Sequence, residues 1–428
     1  MAELVEMLVL AATALEDPAA SRPEAVELLA WLGCPYPDPP NDAARHRARL
    51  LRAAAGFRRL FRLDAKGAPQ FAAFGAEVGP EAAGAVEGLP VTGVAGGGMA
   101  LLAAFERCAG EGIERLSAME SVHDQHALAP PPITPAGWLA AYPGLSTVSE
   151  WLPARRLVGG DGAVLLPAEL CRWRPPGRRQ AEVPFAASLG CAAGATVARA
   201  MLAGLCELVE RDAAALWWLG GRRGRPLALE DGAAAIADLV LLRRGAGRVR
   251  RSWLLDLTTD LGIPVVAAVS CDFEGGVVSI GTAARPLRAR AAAAAVRDLV
   301  LNELAVELVE AKRAVGGESA LNAADHAHLQ RSFGLHAARH AILHPVGAPV
   351  QAAEQAVADP LRWMLKRLAA AEQEVVAVDL TRPAFGVSVV RMLCPGLEKL
   401  PGRIVGARLQ AACEAPGAER AQAEIALM

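Results

Sequence analysis

Apolar positions along this chain recur at two spacings, one helical and one alternating, from the first residues to the last. Residues 3–15 and 24–33 show the helical spacing. CPYPDPPND at 34–42 stops the second helix, because proline cannot supply the amide that a helix needs. A third helix is predicted over 43–60, dressed with Arg45, Arg47, Arg49, Arg52, Arg58 and Arg59. It reads either as a docking face for an acidic partner or as a solvated surface. FRRLFRLDAKGAPQFAAFG then alternates like two strands around the turn Asp64–Gly67, which separates a helical region at 1–64 from a main domain at 65–428.

Both spacings continue through the main domain. Strands and turns are predicted over 148–173, a helix over 231–245, a strand–turn–strand over 252–273 and another strand at 275–283. Pro286–Arg313 reads as a long helix that opens on proline and carries Asp298, Glu303 and Glu307. EVVAVDLT and FGVSVVRMLCPGLE alternate again near the end. The expected class is α/β, in the sense of mixed α and β elements throughout.

Two stretches combine small residues with acids. SLGCAAG at 188–194 reads as a glycine turn, and the helix after it carries Val197, Met201, Leu205 and Leu208 at helical spacing, with Glu207, Glu210 and Arg211. TGVAGGG at 92–98 reads as a second glycine turn, and its helix carries Glu111, Glu114 and Arg115. Both helices spell E-x-x-E-R, about 96 residues apart, which suggests an internal duplication with four converging carboxylates. Carboxylates three apart share a helix face, and a loop of free amides with hard oxygen ligands suits a metal–phosphate site. An ordinary amphipathic helix with an acidic edge has the same spacing.

Composition narrows the setting. A chain of 428 residues with 53% hydrophobic residues and a formal charge of −2 can bury a large core and shows no overall basicity of the kind that binds nucleic acid. Every apolar run is interrupted by charge before it could span a membrane, and MAELVEMLVL lacks the basic start of a signal peptide. The eight cysteines are dispersed without a CxxC pair, so reduced thiols and a cytoplasmic location are expected. His336, His340 and His344 fall at i, i+4 and i+8, a candidate metal-binding stripe if the segment is helical.

SLGCAAGATVARAMLAGLCELVERDAAALWW resembles the signature of the YcaO superfamily, of the cyclodehydratase and thioamidation type. FERCAGEGIERLS, LDLTTDLGIPVVAAV, the helix with NELA and FGVSVVRMLCPGLE fit it in the same order, over roughly 65–428. The resemblance implies a duplicated fold with mixed sheets and glutamate-bearing helices that binds ATP and Mg²⁺. It implies phosphorylation of a backbone amide oxygen in a ribosomally made precursor peptide, giving an azoline or a thioamide. ThiF-like or TfuA-like proteins are the implied partners, and a homodimer is compatible with it; neither nucleic acid nor membrane is expected.

Carried onto this sequence, the resemblance makes Glu111, Glu114, Glu207 and Glu210 ligands of Mg²⁺ and nucleotide. It places Arg115, Arg211 and Arg391 at matched arginines, Ser188 in the nucleotide loop and Asp298 at a further acidic position. The sequence departs from the pattern at six positions. Gly97 replaces a basic residue, Leu189 and Ala195 replace asparagines, Arg199 replaces an acid, Asp298 replaces a glutamate and Leu301 replaces a glutamine. Arg199 is expected to bring positive charge toward a cation site. These changes leave a second reading open, a degenerate scaffold that binds peptide or a partner without ATP chemistry.

Overall fold

The structure, a computed structural model, describes residues 2–36, 39–124, 145, 148–160, 162–183, 188–349, 357–402, 405–415 and 427. Helices α1 (Ala2–Glu16), α2 (Pro23–Leu32) and α3 (Asp42–Ala55) open the chain. Helix α3 stops at Ala55 because Phe57 turns into the core and the chain extends into β1 (Arg59–Asp64). Three of its four arginines are matched by the protein's own acids, Arg45 with Asp42, Arg47 with Glu106 and Arg52 with Glu16, while Arg58 beyond it pairs with Glu81.

Strands β1, β2 (Ala72–Val78) and β3 (Thr92–Gly98) form an antiparallel sheet in chain order, so TGVAGGG is a strand and not a turn. The reason is the helix beyond it, α4 (Leu101–Ala118). A Cβ on Gly96 would lie 2.2 Å from the Cys108 amide nitrogen, so the glycines let α4 rest directly on the strand backbone. Helices α1–α3, this sheet and α4 share one core with parts of the next sheet.

That next sheet has the order β5-β4-β11-β12-β6, in which β11 is Val375–Asp379 and β12 is Ser388–Leu393. It is built from β4 (Trp151–Val158), β5 (Gly162–Pro167) and β6 (Cys191–Gly194), with two late strands described below. Helix α5 (Val197–Trp218) follows β6 and carries the second E-x-x-E-R. Its end is buried, with Trp217 and Trp218 edge to face at 5.4 Å and Trp217 Nε1 donating to the Ile342 carbonyl.

The third sheet, order β10-β9-β8-β7, contains β7 (Arg225–Pro226), β8 (Arg251–Asp256), β9 (Val265–Cys271) and β10 (Ser279–Ala284). Helix α6 (Leu229–Leu242) precedes β8, and α7 (Arg288–Gly316) follows β10. Strand β9 reads as an unbroken apolar run because both faces are covered. Val265, Ala267 and Val269 enter the core around α5, while Val266 and Ala268 enter the core under α7. Helices α8 (Ala323–Gly334) and α9 (Pro360–Ala370), strands β11 (Val375–Asp379) and β12 (Ser388–Leu393), and helix α10 (Ala407–Glu414) complete the fold.

Two units of glycine turn plus acidic helix were expected; in both the turn gives way to a strand, making β3–α4 and β6–α5, and a third strand–helix unit stands beside them. In β10–α7 a Cβ on Gly281 would lie 2.1 Å from the Leu299 amide, the same intimate packing as at Gly96. Strands and helices mix throughout, and every strand pairing among the described residues is antiparallel. Among the described residues no helix is long and apolar enough to cross a membrane.

The histidine stripe does not form. Helix α8 ends at Gly334, and residues 337–339 and 341–343 are two separate 3₁₀ turns, so the helical spacing no longer aligns the three rings. Leu335, Ile342 and Leu343 are drawn into the core, which explains the break. A ring nitrogen of His340 meets the His336 carbonyl at 2.9 Å, and one of His344 meets the Ala337 carbonyl at 2.9 Å. His344 also stacks on Trp253. Among the described residues no three His, Cys, Asp or Glu side chains are gathered closely enough to hold a metal ion unaided.

Candidate active site

The site grows from the contact of the three helices with their strands. Each unit places its first acid on a backbone amide near its own strand. Ala95 N donates to Glu111 Oε2 at 3.2 Å, Gly190 N to Glu207 Oε2 at 3.0 Å and Thr282 N to Asp298 Oδ2 at 3.0 Å. The second acid reaches across to the next unit's strand. Glu114 Oε1 accepts from Ala193 N at 2.7 Å, and Glu210 Oε1 accepts from the Thr282 hydroxyl at 2.8 Å. In α7 the second position is Leu301, and a Cβ on Gly97 of β3 would lie 3.0 Å from its Cδ2.

The three units therefore close a cycle. Two joints are carboxylate hydrogen bonds and the third is an apolar contact. The amides that sequence assigned to a phosphate cradle are instead engaged by Glu111, Glu207 and Glu114.

These carboxylates border a cleft of about 890 Å³ whose wall includes Glu111, Arg115, Glu210, Arg211, Thr282 and Asp298. Arg115 pairs with Glu111 at 3.2 Å and Arg211 with Glu207 at 3.5 Å, each one turn along its helix. Burial pushes the Glu114 carboxyl up to about 8, with the charges of Glu111 and Glu207 adding to it. Burial also raises Glu207, Glu210 and Asp298, against the pull of Arg211. Crowded carboxylates that resist ionisation are groups that a cation would stabilise.

Mg²⁺ fits this donor set. It takes hard oxygen ligands and is usually held by one or two carboxylates plus phosphate oxygens, with no need for a complete protein cage.

The remaining predicted residues divide. Ser188 lies in a separate cavity of about 310 Å³ that shares Arg115 with the main cleft. Arg391 is 1% exposed in the middle of β12, in register with Cys191, and belongs to the interior of the sheet. Leu189 is buried in the core around α5, and Ala195 is exposed before the helix.

Arg199 does not bring its charge onto the carboxylates. It is exposed in the first turn of α5, where its amide meets the Thr196 hydroxyl at 3.3 Å, and its charge bears on His46 of α3. Cys108 and Cys206 are buried, with thiols pushed up by burial to about 12 and about 11, so neither is a ready nucleophile.

Sequence reasoning missed Thr282, which holds both Glu210 and Asp298, and His328 of α8, which lines the cleft. The signal for Thr282 was available: Ala95 to Glu111 and Thr282 to Asp298 are both separated by sixteen positions.

Comparison with known proteins places this geometry. The family described as YcaO cyclodehydratase, ATP- and Mg²⁺-binding, matches residues 95–398. An uncharacterised protein in the tfuA 3′ region of Rhizobium leguminosarum bv. trifolii is 29% identical over 267 residues, 58% of this chain and 59% of its own length. A heterocyclase solved in complex with substrate and cofactor superposes with a TM-score of 0.62 at 24% identity, over 81% of this chain and 50% of that one. The YcaO protein of Methanopyrus kandleri, solved with AMPPCP and Mg²⁺, gives 0.57 at 21% identity, over 89% of this chain and 92% of its own. The chain thus spans only about half to three-fifths of the curated relative and of the heterocyclase, while the archaeal protein matches nearly end to end. With the family matched over 95–398 and the fold shared throughout, this chain belongs to the YcaO cyclodehydratase family.

Proposed function

We propose that this protein uses Mg²⁺ and ATP to activate a backbone amide of a ribosomally made precursor peptide. Phosphate on the amide oxygen turns a poor leaving group into a good one, and it requires cations to neutralise the transferring phosphoryl group. The observation that supports this reading best is the cleft itself: Glu111, Glu210 and Asp298 arrive from three helices on one wall. Glu114 and Glu207 are tied to the strands beside it. In this role Glu111, Glu114, Glu207 and Glu210 hold Mg²⁺, while Arg115 and Arg211 keep the carboxylates in place until metal arrives. When bound, the metal and nucleotide supply the phosphoryl group and the charge to stabilise it.

The relative in the tfuA 3′ region favours a thioamide over an azoline as product, with a TfuA-like partner delivering sulfur. The scaffold reading draws on Gly97 and Leu301, which face each other at the apolar joint and remove two polar groups from one corner of the cycle. Incubation with Mg·ATP and a precursor peptide should yield ADP, and Glu207→Ala or Glu210→Ala should abolish it. A wild-type protein with no affinity for Mg·ATP in calorimetry would leave the scaffold reading standing.

A further inference from the structure

The smaller cavity, of about 310 Å³, has a wall of its own that the carboxylate cleft does not use. The last turn of α4 supplies Arg115 and Ala118. Residues 168–171 form a single helical turn after β5, and the chain beyond them runs along the end of α4. There Trp173 N donates to the Ala118 carbonyl at 2.7 Å, and Glu120 N donates to the Trp173 carbonyl at 2.9 Å. These main-chain bonds fix Glu169, Arg172, Trp173 and Arg174 around the cavity, and Ala181 adds apolar wall.

Three polar atoms of this wall have no hydrogen-bond partner among the described residues: Glu169 Oε2, Arg172 Nε and Arg174 Nε. They belong to side chains only 6%, 8% and 2% exposed. The rest of each group is engaged. Glu169 Oε1 accepts from Arg174 Nη1 at 2.6 Å and from Gln180 N at 3.1 Å. Arg172 donates to the Ser117 carbonyl at 2.6 Å and to Asp124 at 3.1 Å. Arg174 also meets Glu120 and Glu150. A buried polar atom left unpaired is costly, so three around one cavity mark a place that a ligand completes. The pattern also selects the ligand. An anion would meet the free oxygen of Glu169. A cation would meet Arg172 and Arg174, which already have counter-ions in Asp124, Glu120, Glu150 and Glu169. A neutral group with one N–H to give and a carbonyl oxygen with two lone pairs satisfies all three atoms, and that group is an amide.

We infer that this cavity binds an amide of the peptide on which the cleft acts, with Glu169 accepting its N–H and Arg172 and Arg174 donating to its carbonyl oxygen. The inference rests on the peptide reading of the cleft. Arg115 borders both spaces, so a chain lying over the carboxylates continues into the cavity without leaving the protein surface. Ala118, Trp173 and Ala181 offer apolar wall to the carbon on either side of the amide. The same chemistry is presented by a backbone amide and by the carboxamide of a side chain.

The test titrates the full chain by NMR with trialanine blocked as N-acetyl and C-methylamide, with its backbone-N-methylated counterpart, and with propionamide. Wild type is compared with Glu169→Gln and Ala181→Phe, and calorimetry follows Mg·ATP affinity in each. Glutamine keeps the oxygen that Arg174 and Gln180 hold and puts an NH₂ where the free oxygen stood. Ala181→Phe fills the cavity without breaking an ion pair, so it decides the matter if Glu169→Gln melts lower. Blocked trialanine should bind wild type, and both variants should bind it about tenfold or more weakly with Mg·ATP affinity unchanged. The N-methylated peptide, which has no N–H to give, should show the same loss on wild type. Tighter binding of trialanine assigns the cavity to a backbone amide, and tighter binding of propionamide assigns it to a side-chain carboxamide. Equal affinity for the N-methylated peptide, equal affinity in Ala181→Phe, or no binding of either amide to wild type overturns the inference. Amide binding that Ala181→Phe abolishes, in a protein with no affinity for Mg·ATP, keeps the cavity and removes the ATP reading. Mg·ATP binding without amide binding does the reverse.

Discussion

Glu114 ties proton to metal. Its carboxyl is raised from 4.5 to about 8, first by burial and then by the charges of Glu111 and Glu207. A carboxylate must be ionised to ligate Mg²⁺, so metal binding has to expel the proton. With a midpoint near 8, apparent Mg·ATP affinity should rise about tenfold per pH unit between 6 and 7.5 and level off by about 9. The ligand-free protein has the opposite slope. A carboxyl raised in the fold contributes stability that is full below its unfolded value and is lost as pH rises toward 8. At about 1.4 kcal/mol per unit the whole rise is roughly 5 kcal/mol. Glu114→Gln should therefore make the ligand-free protein more stable than wild type at pH 8 by up to that amount, and should flatten the pH dependence of a now weaker Mg·ATP affinity. Titration calorimetry in buffers of different ionisation enthalpy counts the released protons, and thermal melts follow stability. A wild-type affinity that is flat from pH 6 to 9, or a Glu114→Gln protein that keeps the wild-type slope, refutes the reasoning.

Other outcomes follow from packing and pairing. Gly281→Val puts a side chain 2.1 Å from the Leu299 amide and should cost about 3 kcal/mol or more, read as a lower denaturation midpoint. Arg408→Ala leaves Asp212, which is 0% exposed, without its two-point partner at 2.9 Å, and about 3–5 kcal/mol of stability should be lost. In wild type, Asp260 is held below the usual carboxylate range by its bond to Arg408. Its contribution is present above the unfolded value and should disappear as pH falls below about 4. Arg199→Ala should leave Mg·ATP affinity within about twofold, since the side chain is exposed and its charge bears on His46; a tenfold change in calorimetry would place it in the site after all.

Much of the site was legible because E-x-x-E-R is written twice with the same preamble. The third unit was not, for a physical reason: its first acid is the shorter Asp298 and its second position is Leu301, so no doubled glutamate marks it. Only the strand–helix packing at Gly281 and the bonds from Thr282 reveal the equivalence. TGVAGGG was misread because glycine permits a turn and permits close packing equally well, and composition cannot say which is in use. Arg199 shows the limit of reading charge from position. Its direction is set by its place in the first turn of α5, which spacing within a helix does not encode. The histidine stripe assumed a helix that the buried Leu335, Ile342 and Leu343 interrupt.

The closed cycle of three units has a mechanical meaning. A triangle whose corners are Glu114 on Ala193, Glu210 on Thr282 and Leu301 on Gly97 cannot open by one corner without strain at the other two. The corners are not equal. Two resist separation with directional hydrogen bonds of about 1 kcal/mol each, whereas the third is held by nonpolar contact, which has no direction and lets surfaces slide. A cation drawing Glu114 or Glu210 toward itself would tug on the neighbouring strand as well as on its own helix. The Leu301–Gly97 corner is then the compliant hinge pin, where the other two units can shift without breaking a polar bond.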